Sequence, residues 1–383
     1  MSKTFERLRD EPVPDLWPEI ERRLQQSLTS KPPRRGRKAV SAAFSAVLIA
    51  GALAWALSSL RLGSAPSIVP FSQGEVARIP AGRFPQPIAA DDAAAWVVSG
   101  STESGDVLWR IDAATDHATE LPATRGAAWP AVGEGFAWVT CTGSRNPCGG
   151  NSVLKLDRQT GATLATISLP GTAIAIATGL GNVWVSTSAG LVKIDPLAAR
   201  VLATFPVRTN LLGTANGSVW TARFGRASGT VVRIDPLDGH IEETVEFFDP
   251  CMFLATNDGV WVESCRGGLP PGSPGDVLER IDPATGRVSY RIPVEQFGGS
   301  LILAGARLWL ARWAGQHVEI EARDPVTGEP TGTVLRVKPG PRAFGSVGMG
   351  PPAVFIAQGG GSFWLTHVDS NDVVRLGAPS SGS

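Results

Sequence analysis

The chain has 383 residues with 35 Lys+Arg against 35 Asp+Glu, and its charged fraction of 18% lies below the roughly 25% of an average soluble protein. A coiled coil or a nucleic-acid-binding surface is thereby disfavoured, and four histidines leave little room for a His-rich metal site. Glycine (44) and proline (30) are abundant while the hydrophobic fraction reaches 43%, which excludes disorder and points to many short strands joined by turns.

The zero net charge conceals an asymmetry, because residues 1–38 carry ten Lys/Arg against six Asp/Glu. Within them Asp15 caps a predicted helix with Pro18 in its first turn, and Trp17, Ile20, Leu24 and Leu28 fall on one face. This segment, 15–28, reads either as a short surface helix or a stretch lying against the membrane, or as a docking helix for a cytoplasmic protein partner. From Ala39 to Leu60 there are 22 residues without a charge, enough for one transmembrane helix. Lys31, Arg34, Arg35, Arg37 and Lys38 precede that run, whereas only Arg61 follows before Arg78, so the N-terminus is expected in the cytoplasm. A cleaved signal peptide is the alternative, with Gly63-Ser64-Ala65 as small residues, although leader and apolar run are both long for one. The expected organisation is a cytoplasmic segment (1–38), a single-pass membrane helix (39–60), a linker (61–71) and an extracellular domain (72–383).

The extracellular part repeats. Trp96, Trp138, Trp184, Trp220, Trp261, Trp309 and Trp364 each follow a glycine-rich turn and an apolar residue, at intervals of 36 to 55 residues. Such a period matches the roughly 40–50 residues of one four-stranded propeller blade. A second landmark follows each Trp, a basic residue, an aliphatic and an Asp, as in Arg110-Ile111-Asp112, Lys155-Leu156-Asp157, Lys193-Ile194-Asp195, Arg233-Ile234-Asp235 and Arg280-Ile281-Asp282. The sixth unit keeps Asp324 after Arg323, and the seventh ends Arg375-Leu376-Gly377. Turn residues come next, most fully Pro283-Ala284-Thr285-Gly286, as hairpin geometry requires. The expected fold is all-β, a seven-bladed propeller of four-stranded antiparallel blades. The seventh unit stops after its third strand, and Gly74 to Pro80 resembles the outer strands elsewhere, so an N-terminal strand is expected to complete the last blade. The tryptophans are read as packing between blades, each Asp as the cap of its own turn, and the basic residues before it as a solvated rung.

Cys251 and Cys265 stand seven residues either side of Asp258 in the Asn257-Asp258-Gly259 turn, which places them across adjacent strands at disulfide distance. Cys141 and Cys148 close a loop of similar size, and pairing of all four suits an exported domain. No Cys-x-x-Cys pair or adjacent His suggests metal ligation by these cysteines.

The loops joining second to third strands vary most in length, so candidate ligand-binding residues lie just beyond each Trp: Arg145, Arg223, Arg226, Glu263, Arg266, Arg312, Trp313, His367 and Asp369. Five arginines there suggest an electropositive mouth for a small anionic ligand, or for a protein, above the ring. No Ser/His/Asp order, phosphate loop or zinc-protease helix motif stands out, and no cofactor is assigned from the residues.

The repeated Gly-x-Val-Trp-Val (Gly181 to Val185) and Ile-Asp-Pro-x-Thr-Gly (Ile281 to Gly286) resemble the superfamily of YVTN, NHL and PQQ-like propellers, closest in style to streptogramin-lyase-like repeats. The resemblance spans residues 67–383. Lyases of that group hold a metal with His and Glu at the channel mouth, and Glu263 and His367 fall at comparable places here. With the preceding helix and span, the layout is similar to membrane-anchored actinobacterial propellers. The expected function is a non-enzymatic sensor or scaffold module; the alternatives are a metal-dependent lyase and a quinone-dependent dehydrogenase.

Overall fold

A computed structural model describes residues 67–69, 74–100, 106–142, 148, 150–223, 229–247, 250–264, 276–294, 300–314, 317–338, 354–367 and 370–377. The chain divides into compact units 1–62 and 63–383, and all described residues belong to the second. The expected helix at 15–28 and span at 39–60 lie outside the described residues; among those described, no helix is long and apolar enough to cross a membrane.

The second unit consists of seven antiparallel sheets, here blades 1 to 7, spanning 88–121, 127–168, 173–205, 211–247, 250–293, 300–337 and 354–377. Within each blade the strands pair in chain order, and the innermost strands of successive blades touch all the way round, the seventh reaching the first. This is the seven-bladed propeller that the tryptophan spacing implies. In blade 7 the third strand, Asp372–Gly377, pairs antiparallel with Glu75–Pro80, Ile79 standing opposite Val373 and Arg78 opposite Val374. Blade 6 carries a fifth strand, because Ser67–Val69 pairs parallel with Pro330–Val337. The sequence reading placed these three residues in a linker; flanked by Pro66 and Pro70, they are too few to show a period of two.

All seven tryptophans occupy the second strand of their blade and are buried, none more than 3% exposed. The indole Nε1 of Trp138, Trp184, Trp220, Trp309 and Trp364 donates to the carbonyl five residues earlier, at 3.0–3.3 Å. Trp261 donates instead to the hydroxyl of Tyr290 at 2.9 Å, and the Nε1 of Trp96 has no partner. These five indoles thereby lock their strands onto the preceding turns, and all seven rings are buried in the packing of the blades. Five of the seven turns before the tryptophans place two successive residues at positive φ, as in Leu180-Gly181 (59° and 70°) and Asn216-Gly217 (46° and 79°), the signature of a tight hairpin.

Each Asp caps its own turn as expected. Asp157 Oδ1 accepts from the N–H groups of Gln159 and Thr160 at 3.0 and 2.8 Å, and Asp282 and Asp324 repeat the pattern. These backbone donors hold the carboxyls of Asp157, Asp195, Asp282 and Asp324 below the ordinary carboxylate range.

The basic residues before these Asp positions are not a solvated rung. Lys155 is only 7% exposed, and in five blades the cation reaches over its own blade to a carbonyl in the Asp turn of the next. Arg110 Nε donates to Arg158 O at 3.1 Å, Lys155 Nζ to Leu197 O at 3.3 Å and Lys193 Nζ to Pro236 O at 2.8 Å. Arg233 Nη1 donates to Ala284 O at 3.4 Å, and Arg375 Nη1 to Ala113 O at 2.7 Å. The cause is register: the basic residue stands opposite the Trp on the neighbouring strand, so its stem crosses the indole before its head emerges beside the adjoining turn. Arg110, Lys193 and Arg375 lie 5.0–5.9 Å from the ring centroid of their own Trp. Blades 5 and 6 depart from this. Arg280 donates to Asp258 O and Ser289 Oγ of its own blade, and in blade 6 Ala322 stands opposite Trp309.

Candidate functional site

In an up-and-down sheet the turns after the first and third strands share one face of the ring. The loops after the second strand and the crossings between blades share the other. The first face is built from short turns, six of them capped by an Asp; the second varies more in loop length from blade to blade. Sequence-predicted site residues were drawn from this second, loop face, and the described ones fall into three separate places.

The first lies between blades 3 and 4. Arg223 ends the second strand of blade 4 and is half-buried; its Nε donates to the carbonyl of Arg208 at 2.7 Å. Arg208 belongs to the crossing from blade 3 to blade 4. Both line a cleft of about 770 Å³ together with Ile174, Thr187, Ser188, Thr209 and Asn210. The cleft opens where blade 3 has its shortest loop, since Thr187 runs directly through Ser188 and Ala189 to Gly190 in the third strand. Thr187 Oγ1 donates to Gly190 O at 2.8 Å, which keeps that loop tight. The floor is fixed by Ser186 Oγ, which donates to Thr209 O at 2.5 Å, and by Asn210 N–H, which donates to Ala222 O at 3.2 Å. Thr209 itself is 3% exposed and its hydroxyl has no hydrogen-bond partner.

The second place is blade 5. Glu263 stands two residues after Trp261 and is 1% exposed, with both carboxyl oxygens unpartnered. Burial and then the neighbouring charge of Asp276 push its pKa up to about 9, so the side chain is a neutral acid at pH 7. The corresponding residues in other blades are Ser186 and Thr366, whose hydroxyls donate to backbone carbonyls of the adjoining crossing. Glu263 puts a carboxyl where those blades use a hydroxyl.

The third place is blade 6. Arg312 Nη2 donates to Glu319 Oε2 at 2.8 Å, and Glu319 also accepts from Arg336 Nε at 2.9 Å and lies 3.0 Å from His317 Nε2. Burial alone raises the Glu319 pKa, but His317, Arg312 and Arg336 outweigh it and hold the group at about 2. Arg312 therefore spends its charge on a buried carboxylate. Trp313 is half-buried and packs against the core shared by blades 6 and 7. Arg223, Glu263 and Arg312 sit on three successive blades, 4, 5 and 6.

Arg145, Arg226, Arg266, Asp369 and the side chain of His367 lie outside the described residues. Cys141 and Cys148 form a disulfide with Cα atoms 5.9 Å apart, as the spacing implies. Cys251 is also disulfide-bonded, and Cys265 lies outside the described residues. Among the described residues one group could bring three metal-type ligands together, Asp235, Asp238 and His240, on the opposite face of the ring. There His240 Nδ1 is 2.7 Å from Asp238 Oδ1 and Asp235 Oδ1 accepts from Leu237 N–H, which makes it a capped surface turn.

Sequence reasoning missed Arg208, Thr209, His317, Glu319 and Asp276, because it searched only the residues just after each Trp. A signal for the first two was present: Arg208-Thr209-Asn210 is a polar run within a short crossing bounded by Val207 and Leu211.

No protein-family model matches the chain, and no curated protein matches it in sequence. Solved propellers do match in structure. The Pan2 WD40 domain of Neurospora crassa aligns with a TM-score of 0.56 at 16% identity, covering 77% of this chain and 89% of that one. Kuenenia stuttgartiensis hydrazine synthase aligns at 0.58 and 17% identity, covering 82% and 100%. The Cps50 (Swd1) propeller domain of Myceliophteria thermophila aligns at 0.56 and 9% identity, covering 80% and 99%. At these identities the likeness shows the β-propeller fold alone.

Proposed function

We propose that the chain is a binding module, held in the cell membrane by residues 39–60, whose propeller works outside the cytoplasm and engages its ligand or protein partner on the loop face. The observation that carries this reading is the contrast between the two faces. One is built from short turns whose donors are consumed by Asp157, Asp195, Asp282 and Asp324. The other carries a cleft, a buried acid and an arginine cluster on a rigid ring. The disulfide between Cys141 and Cys148 supports an oxidising compartment. In this reading Glu75–Pro80 is the strand that closes the ring, and residues 15–28 present an apolar face to a cytoplasmic partner. The membrane-anchored, streptogramin-lyase-like type is the family this proposal favours, on the Gly-x-Val-Trp-Val and Ile-Asp-Pro-x-Thr-Gly repeats.

The test is protease added to intact cells expressing the chain with an N-terminal epitope. Loss of the propeller with survival of a small epitope-bearing fragment is expected. Protection of the propeller until the cells are lysed would overturn the orientation. A second reading, a metal-dependent enzyme, is favoured by Glu263, whose carboxyl lies beside Asp276 with both oxygens unpartnered. Metal retained by the purified chain and lost in Glu263→Gln would select it.

A further inference from the structure

We propose that the cleft between blades 3 and 4 is a binding site for a small organic or inorganic oxyanion, a carboxylate or a phosphate, held by Arg208 and Arg223 with the Thr209 hydroxyl as a third donor. This deepens the reading of the loop face as the binding face. Three observations carry it. The two arginines line the same cleft, and among the described residues no carboxylate pairs with either, in contrast to Arg312 on Glu319 and Arg291 on Glu279. Two uncompensated cations sharing one cleft repel each other unless an anion lies between them, and the guanidinium fork matches carboxylate and phosphate oxygens.

The second observation is Thr209. A hydroxyl in a residue 3% exposed, lining a cleft and without a partner, is a donor that the fold leaves unused. A buried donor left unsatisfied is destabilising unless something in the cleft accepts from it. The third is rigidity. Thr209 is fixed through its backbone by Ser186, and Arg223 through its Nε by the carbonyl of Arg208. Both donors are therefore positioned before any ligand arrives, which lowers the entropic cost of binding. About 770 Å³ lies within the range of small-molecule sites, so a ligand larger than one ion fits.

The experiment is calorimetric titration of the purified full chain with citrate and with inorganic phosphate at constant ionic strength. Saturable binding of one of them is expected. It should weaken about tenfold or more in Arg208→Ala, as loss of a charge-assisted contact implies, and by a smaller factor in Thr209→Val. Arg208→Ala is the main variant because its side chain is exposed and its removal leaves the Nε bond of Arg223 intact; a thermal melt shows that the ring survives. Arg287→Ala, on the opposite face, should bind as the parent does. Binding that persists in Arg208→Ala, or no saturable binding of either anion up to millimolar concentration, overturns the proposal. The protease experiment reads orientation alone, so it can fail while this one succeeds, and the reverse.

Discussion

Lys193 fastens two blades to each other through Trp184: its Nζ lies 5.3 Å from the centroid of that indole and donates at 2.8 Å to the carbonyl of Pro236 in the next blade. The cation thus satisfies a part-buried turn carbonyl and lies over a buried ring at once. Replacing it by methionine keeps the stem and deletes the charge. Lys193→Met should lower the unfolding free energy by about 1–2 kcal/mol, measured by urea denaturation with an unchanged m-value. Arg280→Met, whose bonds stay within blade 5, should not change protection of the neighbouring turn in hydrogen exchange.

Glu263 makes stability fall with rising pH. Its folded pKa of about 9 lies above the ordinary 4.5, so between these values the folded state keeps a proton that the unfolded state releases. The penalty is absent below 4.5 and grows across that window, by at most about 1.4 kcal/mol per pH unit. Glu263→Gln should flatten the profile and stabilise the ring at pH 8, as thermal melts from pH 5 to pH 9 would reveal.

Glu319 acts in the opposite sense. Its folded pKa of about 2 lies below the ordinary 4.5, so its contribution is complete above 4.5 and is lost as pH falls towards 2. Glu319→Gln leaves Arg312, His317 and Arg336 facing one another without their common acceptor. A loss of about 3 kcal/mol at pH 7 is expected, shrinking towards pH 3, by chemical denaturation at each pH.

The Cys141–Cys148 bridge closes a short loop, since the two residues are seven apart. Cys141→Ala with Cys148→Ala should cost about 2 kcal/mol without changing the fold, read as a lower melting temperature with an unaltered circular-dichroism spectrum.

Deleting residues 72–82 removes the strand opposite Val373 and Val374 and uncovers Trp364, which shares a core cluster with Ile79. The shortened chain should fail to fold cooperatively, seen as loss of the near-ultraviolet signal of the buried indoles; a stable ring would contradict this closure.

The ring was legible because its grammar is local. A Gly turn, a Trp and a basic-aliphatic-Asp triplet each report on one blade, and burial between equivalent sheets forces the same residue types to recur. What the residues between the landmarks touch was not legible. Lys155 and Arg110 looked like solvent-facing charges because a strand pattern cannot show that the next blade's turn stands over them. The site was harder still. Arg208 and Arg223 are brought together by a crossing and a strand end, and the cleft exists because blade 3 has a short loop beside them. A gap left by a missing residue has no residue of its own to announce it. Glu319 was overlooked for a related reason: as part of an alternating strand, Val318–Arg323, it reads as the polar side of a ribbon, whereas its carboxylate points into a cluster of three bases.

The fastenings made by the basic residue before each Asp turn run from blade 7 through blade 1 to blade 5; blades 6 and 7 are tied instead by Arg78 Nη2, which donates to Lys338 O, and among the described residues no cation-to-carbonyl bond joins blade 5 to blade 6. A hoop with one rivet absent behaves as a strip whose ends meet, so its easiest breathing motion should be a parting between blades 5 and 6. The parallel strand Ser67–Val69 is laid along blade 6, on the rim of Pro330–Val337. Any pull on the polypeptide upstream of residue 67 would thus be delivered to the blade that borders that seam.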